Sequence, residues 1–279
     1  MARKRGIVWL ASYPKSGNTW ARMFLANYLV NGDKPFPINQ AHRFAMTDSG
    51  RETYEMVAKR PVNGSNFDEI LRLRNRVLNG IVANGADVNF VKTHNTAGLV
   101  QGQDMVPKEI TRAAIYIVRN PLDVALSYAR HFNRSHEHAA MALARADNWL
   151  PGENRLVAQV LGRWDQHVMS WARPSGYPTL VIRYEDVLAD PEAEFTKVLN
   201  HIGIPIEPER LKKAVNFSSF KALADQEKGS GFVEKPDHAQ AFFSKGQSGQ
   251  WKTELAPTLK KKIRSDHRKV MKKFGYLDE

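Results

Sequence analysis

Closed apolar runs that end in polar turns recur along the chain. Ile7 to Ala11 is apolar throughout and predicts a buried strand. A helical pattern opens near Asn18, leaving the short loop Tyr13-Pro-Lys-Ser-Gly-Asn18 between strand and helix. Asp87 to His94 holds a second apolar run, predicted as a short buried strand with Lys92 and His94 just past its apolar part. Ala113 to Val118 is a third, continuous run suited to the interior of a parallel sheet, and Asn120-Pro121 then open a helix with proline in its first turn. Strand, turn and helix in this order predict an α/β fold: one domain over residues 1–279, with a central parallel β-sheet flanked by helices on both faces.

Other stretches lack this pattern. Asn31 to Gly64 is rich in Pro, Gly and Asn with no clean period, and reads as an excursion of the kind that shapes an acceptor pocket. Gln226 to Ser248 is similar, and reads as a lid that orders when a ligand binds. Leu259, Ile263, Val270, Met271 and Phe274 fall at roughly helical spacing, predicting a basic C-terminal helix over 259–279 packed on the domain. Trp164, Trp171, Tyr177 and Phe195 are expected in the core.

Charge adds a preference for anions. The chain carries 41 Lys and Arg against 29 Asp and Glu, a net +12. A basic surface attracts polyanions, whether a multiply charged small ligand or nucleic acid. The sequence holds no RNA-binding aromatic signature and no zinc finger, so no nucleic-acid partner is expected; the alternative would use the basic C-terminal helix. Cysteine is absent, the stretch from Ile7 to Ala11 is too short for a signal segment, and no apolar run has membrane-spanning length. These features favour a cytoplasmic protein with no membrane association.

The loop from Tyr13 to Asn18 has the makings of an anion site. Helix N-terminal N–H groups and the helix dipole favour negative charge, and Lys15, Ser16 and Thr19 add a cation and two hydroxyls. It is not a Walker A loop, because the spaced first glycine and the Lys-Ser/Thr pair after a second glycine are missing. An ordinary capped connection is the plainer reading of this loop alone. Lys92 and His94 lie two apart, so in extended chain they face one side, where a lysine stabilises negative charge and a histidine takes a proton. Arg119 leaves the third strand with the residue type best shaped to clamp a phosphate, and Ser127 follows about two helical turns later.

Taken together, Tyr13-Pro-Lys-Ser-Gly-Asn-Thr-Trp20, Val91-Lys-Thr-His94 and Ile117-Val-Arg-Asn-Pro-Leu-Asp-Val-Ala-Leu-Ser-Tyr128 resemble the cytosolic-type sulfotransferases, particularly a bacterial-type member. Thr179-Leu-Val-Ile-Arg-Tyr-Glu-Asp186 is similar to that family's strand ending in tyrosine, and Phe243-Ser-Lys-Gly-Gln-Ser-Gly-Gln-Trp-Lys252 to its C-terminal signature. The resemblance implies a P-loop-like nucleotide-binding fold and 3′-phosphoadenosine 5′-phosphosulfate (PAPS) as co-substrate, leaving adenosine 3′,5′-bisphosphate (PAP). It also implies roles. Lys15, Ser16, Gly17, Asn18, Thr19 and Trp20 would surround the 5′-phosphosulfate, and Arg119 and Ser127 would hold the 3′-phosphate. Tyr184, Ser218, Ser219 and Phe220 would flank the adenosine, as would Trp20, and Lys245 and Gly246 would close over the 3′-phosphate. His94 would be the base, with Lys15 and Lys92 as electrophilic partners.

The chain departs from the family pattern at Ser244, where the family has arginine, and at Gln250, where it has aspartate. From Lys252 the family's dimerisation signature is not intact, which leaves monomer and dimer both open. The implied reaction is sulfuryl transfer to a hydroxyl, secondarily an amine, of a small molecule; a P-loop small-molecule kinase is the alternative enzyme. No metal is expected, and His131, His136 and His138 are expected to line the substrate rather than bind one.

Overall fold

The computed structural model describes residues 5–153 and 155–277; the basic residues Arg3 and Lys4 and the terminal Asp278 and Glu279 lie outside them. Its elements in chain order are β1 (Gly6–Ser12), α1 (Asn18–Val30), β2 (Met46–Thr47), α2 (Phe67–Val82), β3 (Val88–Thr93), β4 (Thr111–Val118), α3 (Pro121–Phe132), α4 (Trp164–Ala172), β5 (Thr179–Arg183), α5 (Pro191–Ile202), α6 (Pro208–Phe217), α7 (Phe220–Ser230) and α8 (Pro257–Asp266), with shorter helices between. The five strands form one sheet in the order β2-β3-β1-β4-β5, and every pairing is parallel.

All seven residues of β1 are buried, because it is paired on both edges and covered on both faces. Its side chains alternate between two cores: Ile7, Trp9 and Ala11 face one, Val8 and Leu10 the other. β4 follows the same rule, sending Ala114, Tyr116 and Val118 to the first core and Ala113, Ile115 and Ile117 to the second. The first core takes in α2, α3 and α4 through Leu78, Leu126 and Trp171, and the second takes in α1, α5 and α6 through Phe24, Phe195 and Leu211. Helices thus cover both faces of the sheet. Trp164, Trp171 and Phe195 lie in these cores and Tyr177 packs half-buried against the first.

The C-terminal segment is two helices rather than one. α8 ends at Asp266, and a short helix, Arg268–Lys273, follows a break at His267. The His267 ring is buried edge-on to Trp164 at 5.4 Å, and bending there lets both Ile263 and Met271 reach the first core. Spacing alone did not reveal the break, because Ile263 and Val270 are seven apart and would share one face of a continuous helix. Among the described residues no helix is long and apolar enough to cross a membrane.

Candidate active site

A cavity of about 1810 Å³ opens at the carboxyl ends of the strands, and Lys15, Lys92, His94, Arg119, Ser127 and Tyr184 all line it. The loop after β1 makes one end. It turns tightly, with Lys15 at φ 69° and Gly17 at φ 102°. At Gly17 a side chain is excluded twice over. The left-handed backbone disfavours one, and a Cβ would lie 2.7 Å from Cδ2 of Tyr184. Gly17 also caps α1 without offering a side-chain acceptor, so the N–H groups of the first turn are left for an anion. Asn18 Nδ2 donates to the Leu10 carbonyl at 2.8 Å and ties the loop to β1. Ser16 lies beneath the wall, and its Oγ is buried with no hydrogen-bond partner among the described residues.

Arg119 braces this end. Its guanidinium donates to the Lys15 carbonyl at 2.9 Å and the Gln247 carbonyl at 3.0 Å and lies 4.3 Å over the Tyr184 ring. Its Nε is buried and unpartnered among the described residues. Trp20 meets Tyr184 edge-on at 5.8 Å, and Thr19, Ser219, Phe220, Lys245 and Gly246 also line the cavity. Gly246 has φ 59°, and a Cβ there would run into the Phe220 ring. Lys245 is held by Glu254 at 2.6 Å. Ser218 differs from its neighbours: it is fully buried at the end of α6, donates to the Ala214 carbonyl at 2.8 Å and does not reach the wall. The segment is helical up to Phe217, and a hydroxyl just past a helix end is readily taken by the carbonyl four residues back.

Lys92 and His94 meet the cavity together, as their spacing predicts. His94 Nδ1 lies 2.8 Å from the Ser12 carbonyl, so Nδ1 carries the proton it donates and Nε2 keeps its lone pair. Burial, then the charge of Lys92, lowers the His94 pKa well below its ordinary value, so the ring is neutral. Behind it, His167 Nε2 lies 3.0 Å from the His94 carbonyl and Tyr116 donates to His167 Nδ1 at 2.9 Å. This chain of bonds fixes the backbone that carries His94. Lys15 Nζ sits 3.2 Å from His131 Nδ1 and 4.1 Å from the Phe242 ring centre. Burial, then Arg119 and Lys92, pulls the Lys15 pKa down to about 7. Burial also lowers Lys92, against the opposing pull of Glu234.

Two residues here had no motif to announce them. Arg22, one turn beyond Asn18 in α1, is 2% exposed and reaches back to the cavity. Glu234, in the segment after α7, accepts from Arg22 with both oxygens at 2.8 Å and lies 3.5 Å from Lys92. The signal for Arg22 was an arginine on a helix whose neighbours are apolar; Glu234 gave none.

The far end of the cavity is walled by the excursion after α1, through His42, Thr47 and Arg51, and by Trp149 and Leu156 from a loop before α4. The segment between α7 and residue 250 folds across the opening, where Phe242 and Phe243 donate backbone N–H groups to Glu227 at 2.7 and 2.9 Å. Of the three clustered histidines, His131 and His138 line the cavity and His136 does not. Among the described residues no group of three or more His, Asp or Glu could hold a metal.

A family model described as "Sulfotransferase domain" matches residues 6–275. The chain is similar to the dog (Canis lupus familiaris) protein "Sulfotransferase 1A1", 26% identical over 280 residues, covering 95% of this chain and 83% of the relative. Two solved structures share the fold. Mouse sulfotransferase SULT7A1 complexed with PAP gives a TM-score of 0.61 at 19% identity, covering 95% of this chain and 84% of that one. A retinol dehydratase in a complex with retinol and PAP gives 0.66 at 18% identity, covering 96% and 82%.

Proposed function

This chain belongs to the sulfotransferase-domain family, and within it we propose a small-molecule sulfotransferase that takes PAPS as donor and a hydroxyl as acceptor. The observation that carries this reading is the convergence of Lys15, Lys92 and a neutral His94 at one cavity with Arg119 and the uncapped start of α1. The site fits a bisphosphorylated nucleotide. Arg119 lines the cavity and its Nε is a buried donor without a partner among the described residues, and Gly17 lets the turn lie against the Tyr184 ring, where a Cβ would clash. PAP in two solved structures of the same fold is consistent with that fit.

The donor, when bound, supplies the sulfuryl group and a stable bisphosphate leaving group. Lys15 and the N–H groups of α1 would hold its 5′ end, Arg119 and Ser127 its 3′-phosphate. Trp20, Tyr184 and Phe220 would flank the base, with Ser219 beside them and Gly246 letting the closing loop lie against Phe220. His94 Nε2 would accept the acceptor's proton while Nδ1 stays on the Ser12 carbonyl. Lys15 and Lys92 would balance the charge that develops at the transferring oxygens. Isothermal titration tests the donor assignment. PAP is expected to bind without metal and ATP with magnesium is not; the reverse result would move the chain to the kinase reading.

A further inference from the structure

Arg22 is absent from the roles above, yet it is the most deeply buried cation on the cavity wall, at 2% exposed. Helical side chains lean toward the N-terminus of their helix, so Arg22 reaches back over the first turn of α1, where it donates to Thr19 Oγ1 at 3.2 Å. Burying a guanidinium demands an anion, and here the chain supplies its own. Glu234 places both oxygens 2.8 Å from one Arg22 nitrogen and one of them 3.5 Å from Lys92 Nζ. The Arg22 Nε keeps an unused proton, buried and without a partner among the described residues.

A carboxylate held by Arg22 and Lys92, beside the base, marks an oxyanion position within the transfer site. Glu234 lies on the segment after α7, in a turn outside the sheet, and lines the cavity. We propose that Arg22 joins Lys92 at the position that receives the donor's sulfuryl group, and that Glu234 fills this position until the donor displaces it. This rests on the donor reading above. Arg22 then grips the group being transferred, and Glu234 acts as an internal competitor selective for the sulfated nucleotide.

The two nucleotides separate this role from a structural one. PAPS carries the sulfuryl group and PAP lacks it, whereas both present the same phosphates to Lys15, Arg119 and Ser127. The experiment is titration of PAPS and PAP, without acceptor, into the wild-type chain, Arg22→Gln and Glu234→Gln, each first checked for a cooperative thermal transition. Arg22→Gln is expected to weaken PAPS by about tenfold or more, the scale of one charge-assisted hydrogen bond, and to leave PAP nearly unchanged. Glu234→Gln is expected to tighten PAPS several-fold and PAP little. Should Arg22→Gln fail to fold, Glu234→Gln decides, since it keeps every cation in place. A PAPS-to-PAP affinity ratio that stays at its wild-type value in the folded variants overturns the assignment. Wild-type protein that binds neither nucleotide overturns the donor reading instead, so the two failures are distinguishable.

Discussion

In one part of the cavity wall, Lys15, Lys92, Arg119 and Tyr184 each stand at or just past the end of a strand of one parallel sheet. Elsewhere on the cavity wall, His42, Arg51, Trp149 and Leu156 come from short elements and connections outside that sheet, with no period in common. The first group is placed by backbone geometry: once β1, β3, β4 and β5 pair in register, the four side chains have little freedom in where they emerge. The second group is placed by short local pairings outside the main sheet, Trp149 opposite Val160 and Gly50 opposite Leu156. One part of a cavity wall can thus be fixed by the main sheet while another, built on connections, is free to vary with the substrate.

The largest effect is expected from His94→Ala. Turnover is expected to fall by roughly 10²- to 10⁴-fold, the scale of a lost general base, while PAP affinity holds. Parallel kinetics and titration check it, and undiminished turnover would remove His94 from the chemistry. Next comes Gly17→Ala, which forces a left-handed alanine at φ 102° against the Tyr184 ring. Strain of about 1–3 kcal/mol is expected, read as a lower urea midpoint, together with weaker PAP binding.

A smaller effect follows from Lys15, whose pKa lies at about 7 in the free protein. An anionic donor favours the protonated lysine and so raises its pKa in the complex. Below pH 7 both forms are protonated and PAP affinity should be flat. Above it the free form loses its proton first, so affinity should fall by at most about tenfold per pH unit, with proton uptake on binding. Titration in two buffers of different ionisation enthalpy measures that uptake, and none at pH 8 would contradict the assignment. The smallest effect belongs to the other part of the wall. Trp149→Ala, at an exposed ring that packs on Phe67, should change PAP affinity by less than about twofold and alter only acceptor KM. A large loss of PAP binding there would show that the two parts are coupled.

The α/β class and the motifs at the strand ends were legible in the residues alone, because both depend on local pattern. Apolar runs of strand length, Gly17 in a turn and Pro121 at a helix start each act within a few residues. Lys92 and His94 shared a face because alternation along a strand is a fixed rule. What only the tertiary structure decided depends on contacts between distant residues. Arg22 meets Glu234 across 212 positions, Lys15 meets His131 across 116, and neither pairing leaves a trace in spacing. Ser218 turned inward while Ser219 and Phe220 reached the cavity, since the end of α6 claimed its hydroxyl. The C-terminal helix broke at His267 because a buried ring found its place beside Trp164. Local patterns fix where a chain runs straight and where it turns; which side chains then meet is settled by packing.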